Sequence, residues 1–325
     1  MGALHPRSRL PSRIAARLRL PLIAAPMLRV SGIDLVTATC AAGVIGAFPT
    51  ANARSVEELD AWLGLIERNA VALDRPPAPH CPNLIVRQPR FKDDLACLAR
   101  HQVEMVITSV GSPAAAVGPL HDVGCLVFAD IASLRHAEKA IEAGADGLIL
   151  LTAGAGGQTG WANPFAFTRA VRAMFDGPIV LAGGVMDGTS LAAARILGCD
   201  LAYMGTRFIA TRESMASDAY RQMLVDSTLD DVMLTKAFTG LDASMLRPSI
   251  VAAGLDPSNL DESVSEARAR EKFGQKNASE GPRRWTEVCS AGHSVSGVRA
   301  VTGAAELIEE VVEQYEAALA NVTGM

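Results

Sequence analysis

The chain has 325 residues, 49% of them apolar and 20% charged, and a formal net charge of −5 at neutral pH. That length holds either two average domains or one eight-stranded α/β barrel with insertions, which typically takes about 250 residues, while the apolar share and positive mean hydropathy exclude a disordered or fibrous chain. A negative balance gives no basic field for nucleic acid, and no apolar run reaches the roughly 18 residues that a membrane-spanning helix needs.

Aromatic residues make up only 5% of the chain, so the core must be built from Ala, Val, Ile and Leu, as suits strands buried on both faces under small-residue helices. The six cysteines are scattered, with no CxxC and no clustered His/Cys set. They read as buried thiols of a cytoplasmic protein, and no metal site is expected. The first twenty residues carry five arginines and no acid. This resembles a transit peptide, yet 14–20 runs straight into a strand, and a short basic helix closing the bottom of a barrel is the expectation.

From Pro21 onward, short β-rich runs alternate with amphipathic helical stretches, the pattern of repeated βα units around a parallel sheet. Strands are predicted at 22–25, 44–47, 83–86, 105–109, 125–129, 147–151, 179–182 and 201–205, which makes a TIM (β/α)8 barrel the expected fold. Ser55 and Glu58 suggest a capping box, and Leu59, Trp62, Leu63 and Ile66 then share one helix face. Ser133 is placed to cap a helix with Ala137, Ala140 and Ile141 inward, and Gly144 to end it. Gly144-Ala145-Asp146 is echoed by Gly198-Cys199-Asp200, a weak internal repeat suited to equivalent units. A helix is predicted over 212–226. The stretch 240–281, rich in Pro, Ser, Asp and charge, is expected to be an excursion over the barrel mouth or edge within a single domain spanning 1–325. Leu307, Val311, Val312 and Tyr315 fall on one face of a final helix.

Barrel chemistry lies on the loops after the strands. The sixth is followed by Gly154-Ala155-Gly156-Gly157-Gln158-Thr159-Gly160, where missing Cβ atoms either let backbone amides approach a ligand or simply make a turn. The seventh and eighth strands end in Gly183-Gly184 and Gly205-Thr206, each leading into a helix. Such glycines serve tight strand-to-helix packing or form the standard barrel phosphate site. No GxGxxG or GxxxxGK[ST] motif follows a strand, so the phosphate need not belong to NAD or ATP. Ala25-Pro26-Met27 places a stiff proline and a flexible thioether at the mouth, under a flat ring or as ordinary packing. Asn83 offers donor and acceptor to a heterocycle edge, or makes a turn or cap. Asp130, expected just beyond the fifth strand, is a polar candidate or a helix cap.

At these residues the sequence resembles the nitronate monooxygenase family, formerly called 2-nitropropane dioxygenases, and the FMN-dependent enoyl reductases that share its fold. The matching pieces are Ala25-Pro26-Met27, Asn83, Gly144-Ala145-Asp146, Ala155 to Gly160, Ala182-Gly183-Gly184, Gly205-Thr206 and Ser290-Ala291-Gly292-His293, in family order along nearly the whole chain. The resemblance implies a noncovalent FMN, its phosphate on Gly183, Gly184, Gly205 and Thr206 and its ring against Ala25, Pro26, Met27, Asn83 and the Ala155-Gly156-Gly157 loop. It also implies a histidine after the second loop glycine as base or substrate contact. Here that position is Gln158, which has no proton to exchange near neutrality but can orient a substrate.

Of the six histidines, His80 and His101 precede strands and belong at the barrel bottom, while His121 and His136 lie on helices or their ends. His293 alone falls in a segment resembling the family's flavin-proximal motif, where it has either a substrate-contacting or a structural role. The expected activity is FMN-dependent oxidation of a small alkyl nitronate with oxygen, in which the missing base is tolerable because a nitronate is already deprotonated. The same fold supports an NAD(P)H-dependent flavin reductase of quinones or enoyl thioesters. A flavin-free phosphate-binding lyase or isomerase would normally need a lysine or carboxylate at strand ends, and no lysine is found there. A non-catalytic FMN-binding protein is a further alternative. A small-molecule substrate is expected, nucleic acid and membrane are not, and a homodimer is left open.

Overall fold

In the computed structural model, residues 9–71, 76–274 and 282–323 are described. The strands are β1 (Leu22–Ala24), β2 (Ile45–Pro49), β3 (His80–Ile85), β4 (Met105–Ser109), β5 (Leu126–Ile131), β6 (Gly147–Leu151), a two-residue β7 (Gly157–Gln158), β8 (Ile179–Ala182) and β9 (Leu201–Met204). All except β7 pair in parallel and close into a barrel in the order β1-β2-β3-β4-β5-β6-β8-β9, with Leu22 to Ala24 of β1 set against Ala202 to Met204 of β9. Helices fill the connections, so the fold is the expected (β/α)8 barrel.

Successive side chains of a strand point to opposite faces, and in a closed barrel both faces are covered. Ile23, Ile45, Met105, Ile107, Phe128, Ile149, Val180 and Leu201 fill the lumen. Their neighbours Leu22, Leu148, Leu150, Leu181, Ala202 and Met204 pack outward with residues of the surrounding helices. Gly147 belongs to this packing, because a Cβ there would come within 2.2 Å of the Phe128 ring.

Two strand boundaries differ from the sequence reading in ways that matter for the site. β3 opens at His80, so Asn83 lies well inside the strand instead of starting it. β5 runs through Asp130 to Ile131, which makes Asp130 a strand residue with the parity of Phe128 and not a loop or capping residue. The helix expected over 212–226 is confined to Asp218–Asp226, capped by Ser217.

The punctuation of the units has clear causes. Ser133 accepts the His136 amide, and Gly144 takes a φ of +86° after its helix. Ser55 accepts the Glu58 amide at 3.1 Å, but the Glu58 carboxylate turns to the Arg54 amide at 2.6 Å, so the capping box is only half formed. In the echoed Gly-x-Asp units, Asp146 accepts the Val127 amide at 2.7 Å and Asp200 accepts the Ile179 amide at 3.0 Å, each tying its strand to the preceding one. Buried Asp200 also receives Arg172 at 2.7 Å.

At the bottom, Ser12–Ala15 is a short helix, and Leu10 and Ile14 join the lumen cluster while Arg17 pairs with Glu104 at 2.6 Å. The basic segment therefore stoppers the barrel through its apolar residues. The six cysteines are all buried free thiols.

Beyond β9, the chain adds β10 (Val232–Thr235) and β11 (Ala243–Leu246), which form an antiparallel sheet in the order β10-β11-β7. The 240–281 stretch contributes β11 and the helices Arg247–Ala252 and Glu266–Phe273, with 275–281 outside the described residues. Phe238, Met245, Ile250, Phe273 and Val288 give this sheet its own apolar cluster. Because β7 is part of the loop after β6, the added sheet grips the barrel rim directly.

The final helix, Ala304–Thr323, packs Leu307, Val311, Val312 and Tyr315 into the barrel's outer core as expected. It lies so close to Gly188 that a Cβ there would meet the Tyr315 nitrogen at 2.1 Å and the Val311 carbonyl at 2.4 Å. Backbone cannot move aside as a side chain can. Gly188→Ala should therefore cost about 1–3 kcal/mol of unfolding free energy in a guanidinium titration, and an unchanged midpoint would show that this helix pair is not rigidly docked.

Candidate active site

A cavity of about 350 Å³ opens at the carboxyl ends of the barrel strands. Ala25, Pro26 and Met27 line it after β1, Asn83 on β3, Asp130 on β5, Ala155, Gly156, Gly157 and Gln158 after β6, Gly183 and Gly184 after β8, and Gly205 and Thr206 after β9. The residues expected to hold the cofactor, with Gln158, thus line one cavity, whereas Thr159, Gly160, Gly292 and His293 do not. His293 is exposed and does not line it; its amide donates to the Gly154 carbonyl at 2.9 Å and its ring lies over Gly154. Its neighbours Ser290, Ala291 and Ser294 face the cavity instead.

The glycines divide by what surrounds them. A Cβ on Gly160 would meet the Leu151 carbonyl at 2.0 Å, and one on Gly156 would meet the Gly292 nitrogen at 2.7 Å, so these serve chain-to-chain packing. One on Gly183 would meet the Thr152 hydroxyl at 2.4 Å. Gly184 is different: its φ is +73° and nothing lies within 4 Å of where its Cβ would stand. The amides of Gly184 and Val185 donate to no protein acceptor among the described residues. β8 and β9 are adjacent, so this turn sits beside Gly205 and Thr206; in the short helix Thr206–Ile209 the Phe208 and Ile209 amides bond the Gly205 carbonyl, while those of Thr206 and Arg207 bond no acceptor among the described residues. The Thr206 hydroxyl accepts the Gly292 amide at 3.0 Å, which fixes its rotamer.

The heterocycle-sized part of the cavity carries a few polar groups on apolar walls. Ser109 donates to Asn83 Oδ1 at 3.1 Å, leaving Asn83 Nδ2 without a protein acceptor among the described residues. Burial alone pushes the Asp130 carboxyl up to about 7, and the Tyr203 hydroxyl is raised well above its ordinary value by burial and then by Asp130. Asp130 Oδ1 and the Tyr203 hydroxyl oxygen are both sealed from solvent with no hydrogen-bond partner among the described residues. These open valences and the uncovered Gly184 turn fit an aromatic cofactor with an anionic tail.

Several lining residues were not found by reading the sequence. Tyr203 sits in the run Leu-Ala-Tyr-Met, which reads as plain core; only its parity with Leu201 directs it to the lumen. Arg270, Arg284 and Trp285 reach the mouth from the added region. Val110 and Trp285 hold left-handed backbones, with φ of +54° and +68°, a costly state for a β-branched or bulky residue that carries no sequence signature. Burial and then Arg270 press the Arg284 guanidinium below its usual value, so the two cations are electrostatically coupled. Elsewhere, His101 bonds Glu67 at 2.8 Å and Asp60 at 3.1 Å on the outer wall, which with Arg100 forms an ion-pair network.

A parallel α/β barrel with an amide-lined cavity at the carboxyl rim defines a barrel enzyme. A family model described as nitronate monooxygenase matches residues 55–314, and the chain belongs to that family of oxidoreductases. It is 29% identical over 278 residues to a nitronate monooxygenase of Paraburkholderia phytofirmans, covering 73% of this chain and 76% of that one. It is 28% identical over 237 residues to the (3aS,4S,5R,7aS)-5-hydroxy-7a-methyl-1-oxo-octahydro-1H-indene-4-carboxyl-CoA dehydrogenase of Mycobacterium tuberculosis, covering 71% of this chain but only 64% of that relative. In three dimensions it is similar to FabK from Thermotoga maritima, with a TM-score of 0.78, 21% identity and coverage of 98% and 99%. A nitroalkane oxidase from Streptomyces ansochromogenes gives 0.77, 23%, 95% and 99%. At such identities these structures speak for the fold. Among the described residues, no helix is long and apolar enough to cross a membrane.

The Asp130 shift has a consequence for the ligand-free protein. Its folded carboxyl titrates near 7, against 3.8 when unfolded, so between those values the folded state holds a proton that the unfolded state has lost. Stability is therefore given up as pH rises through this window, by about 1.4 kcal/mol per pH unit at most, and the loss levels off above it. In Asp130→Asn the loss disappears, and the difference in unfolding free energy from wild type should grow in the mutant's favour from about pH 4 to about pH 7. Parallel stability curves would place Asp130 in contact with solvent.

Proposed function

We propose that the chain binds FMN in this cavity and oxidises small alkyl nitronates with oxygen to a carbonyl compound and nitrite. The observation that carries the reading is the Gly184 turn, whose unpaired amides and missing side chain stand next to the head of the helix after β9. Free N–H groups at such a place favour an anion, here the phosphate tail. Gly183, Gly184, Gly205 and Thr206 would hold that tail; Ala25, Pro26, Met27, Asn83, Asp130 and the Ala155-Gly156-Gly157 loop would bear the ring. Bound FMN supplies the redox chemistry, accepting electrons from the substrate and returning them to oxygen.

The chain's own residues would position and exclude. Gln158 lines the cavity from β7 and can donate its amide to an anionic nitro group without exchanging a proton. A nitronate arrives deprotonated and needs no base, which suits a site where glutamine stands in the family's histidine position. The apolar walls, with Glu266 and Arg270 of the added region at the mouth, would keep water from the reacting atoms. A specific feature favours a second reading. Arg270 and Arg284 at the mouth suit a phosphate-bearing partner, as an NAD(P)H-dependent reductase of quinones or enoyl thioesters would require.

Anaerobic mixing of the FMN-loaded protein separates the two: bleaching of the flavin by nitronate alone fits the oxidase, and rapid bleaching by NADH or NADPH fits the reductase. A colourless protein that takes up no FMN would point to a flavin-free barrel lyase or isomerase, and a bound flavin inert to every donor to a binding protein without turnover. For the placement itself, Gly184→Glu puts bulk and negative charge into the open turn, where an added Cβ meets no protein atom within 4 Å. It should abolish FMN retention through gel filtration while leaving the circular dichroism spectrum intact, whereas undiminished FMN content would put the phosphate elsewhere.

A further inference from the structure

We propose that Asp130 is the proton-carrying residue of this cavity: its carboxylic acid, with the Tyr203 hydroxyl from the other side of the lumen, donates a hydrogen bond to the seated heterocycle, so that binding is coupled to the proton on Asp130. The inference rests on the FMN reading and deepens it. Strand parity aims both residues inward, Asp130 above Phe128 on β5 and Tyr203 above Leu201 on β9, and both line the cavity. Among the described residues the Asp130 carboxyl makes no hydrogen bond to protein: its Oδ1 is sealed by the surrounding protein, and the residue itself lines the cavity. Asp94, which also has one unpartnered oxygen, is by contrast held through the other by Gln88 at 2.7 Å and by Arg90 at 3.3 Å.

Charge around Asp130 leaves the acid form in place. The ionisable groups facing it in the lumen are Tyr203 and Cys81, both pushed up by burial and so protonated near neutrality. The charged residues of the flanking helices, among them Arg135, Glu138, Lys139 and Glu142, with His121 and His136, are exposed on the outer wall. No cation offsets the burial, so the carboxyl keeps its proton up to about pH 7 and presents one O–H donor. A floor of two neutral donors matches an acceptor-bearing ring edge.

The test is FMN affinity, read by quenching of flavin fluorescence, for the wild type, Asp130→Asn and Tyr203→Phe from about pH 6 to about pH 9. One-proton coupling requires wild-type affinity to fall about tenfold per pH unit above neutrality relative to Asp130→Asn, whose amide donates at every pH. Taking that ratio cancels titration of the FMN phosphate itself, with its pKa near about 6. Tyr203→Phe should weaken binding several-fold and keep the wild-type slope. Calorimetry in two buffers of different ionisation enthalpy should find about one proton taken up per FMN by the wild type at about pH 8.5; this measurement stands even if a variant fails to fold. Identical slopes in wild type and Asp130→Asn, or no proton uptake, would overturn the role of Asp130 while leaving FMN binding intact. Failure of the wild type to bind FMN at any pH would overturn the cofactor reading and this inference together.

Discussion

A parallel strand buried on both faces can show a polar group to a ligand only at its ends or across a lumen that its neighbours leave open. That constraint governs this molecule. The lower lumen is filled by Ile23, Ile45, Met105, Phe128 and Leu201 and stoppered by Leu10 and Ile14, so the barrel is solid where it needs only to be stable. One layer higher the large apolar side chains give way to Asn83, Asp130 and Tyr203, and the core becomes the floor of a cavity. Stability and site are successive positions on the same strands, two residues apart.

The barrel was legible because its signals are local and repeated. Each strand is a short apolar run bounded by helix stops, and the Gly-x-Asp echo at 144–146 and 198–200 marks a hydrogen bond made twice, donated by an amide of the preceding strand to the aspartate carboxylate. The rim was legible for a related reason: glycines after β6, β8 and β9 have few uses besides close approach. Sequence could not separate those uses. Gly156 and Gly160 admit neighbouring backbone while Gly184 opens onto the cavity, a distinction that depends on chain segments far away in sequence.

What stayed hidden followed from distance and from ambiguity of type. The added sheet escaped notice because β7 is two residues long and its partner β11 lies about 85 positions later, so neither has a periodicity of its own. Arg284 and Trp285 arrive from that region and belong to no motif. Asp130 was placed one step too far along the chain because an aspartate ending an apolar run normally announces a loop; here the strand continues to Ile131 and the acid is turned inward. His293 could not be placed from sequence for another reason. Its segment does border the cavity, but through Ser290, Ala291 and Ser294, while the turn beginning at His293 leaves the residue exposed with its ring over Gly154.

The junction at β7 also separates two kinds of inheritance. Gln158 and Gly157 are covalently part of the barrel, yet their hydrogen-bonded partners, Ala243 and Ser244, belong to the sheet laid over it. Substitutions beneath that sheet, in the cluster of Phe238, Met245 and Phe273, can re-aim the cavity-lining glutamine while leaving every barrel strand and the Gly184 turn untouched. A lineage built this way can change what it accepts by editing its roof and keep its foundation, which gives a physical route for one barrel to serve relatives with such different named substrates.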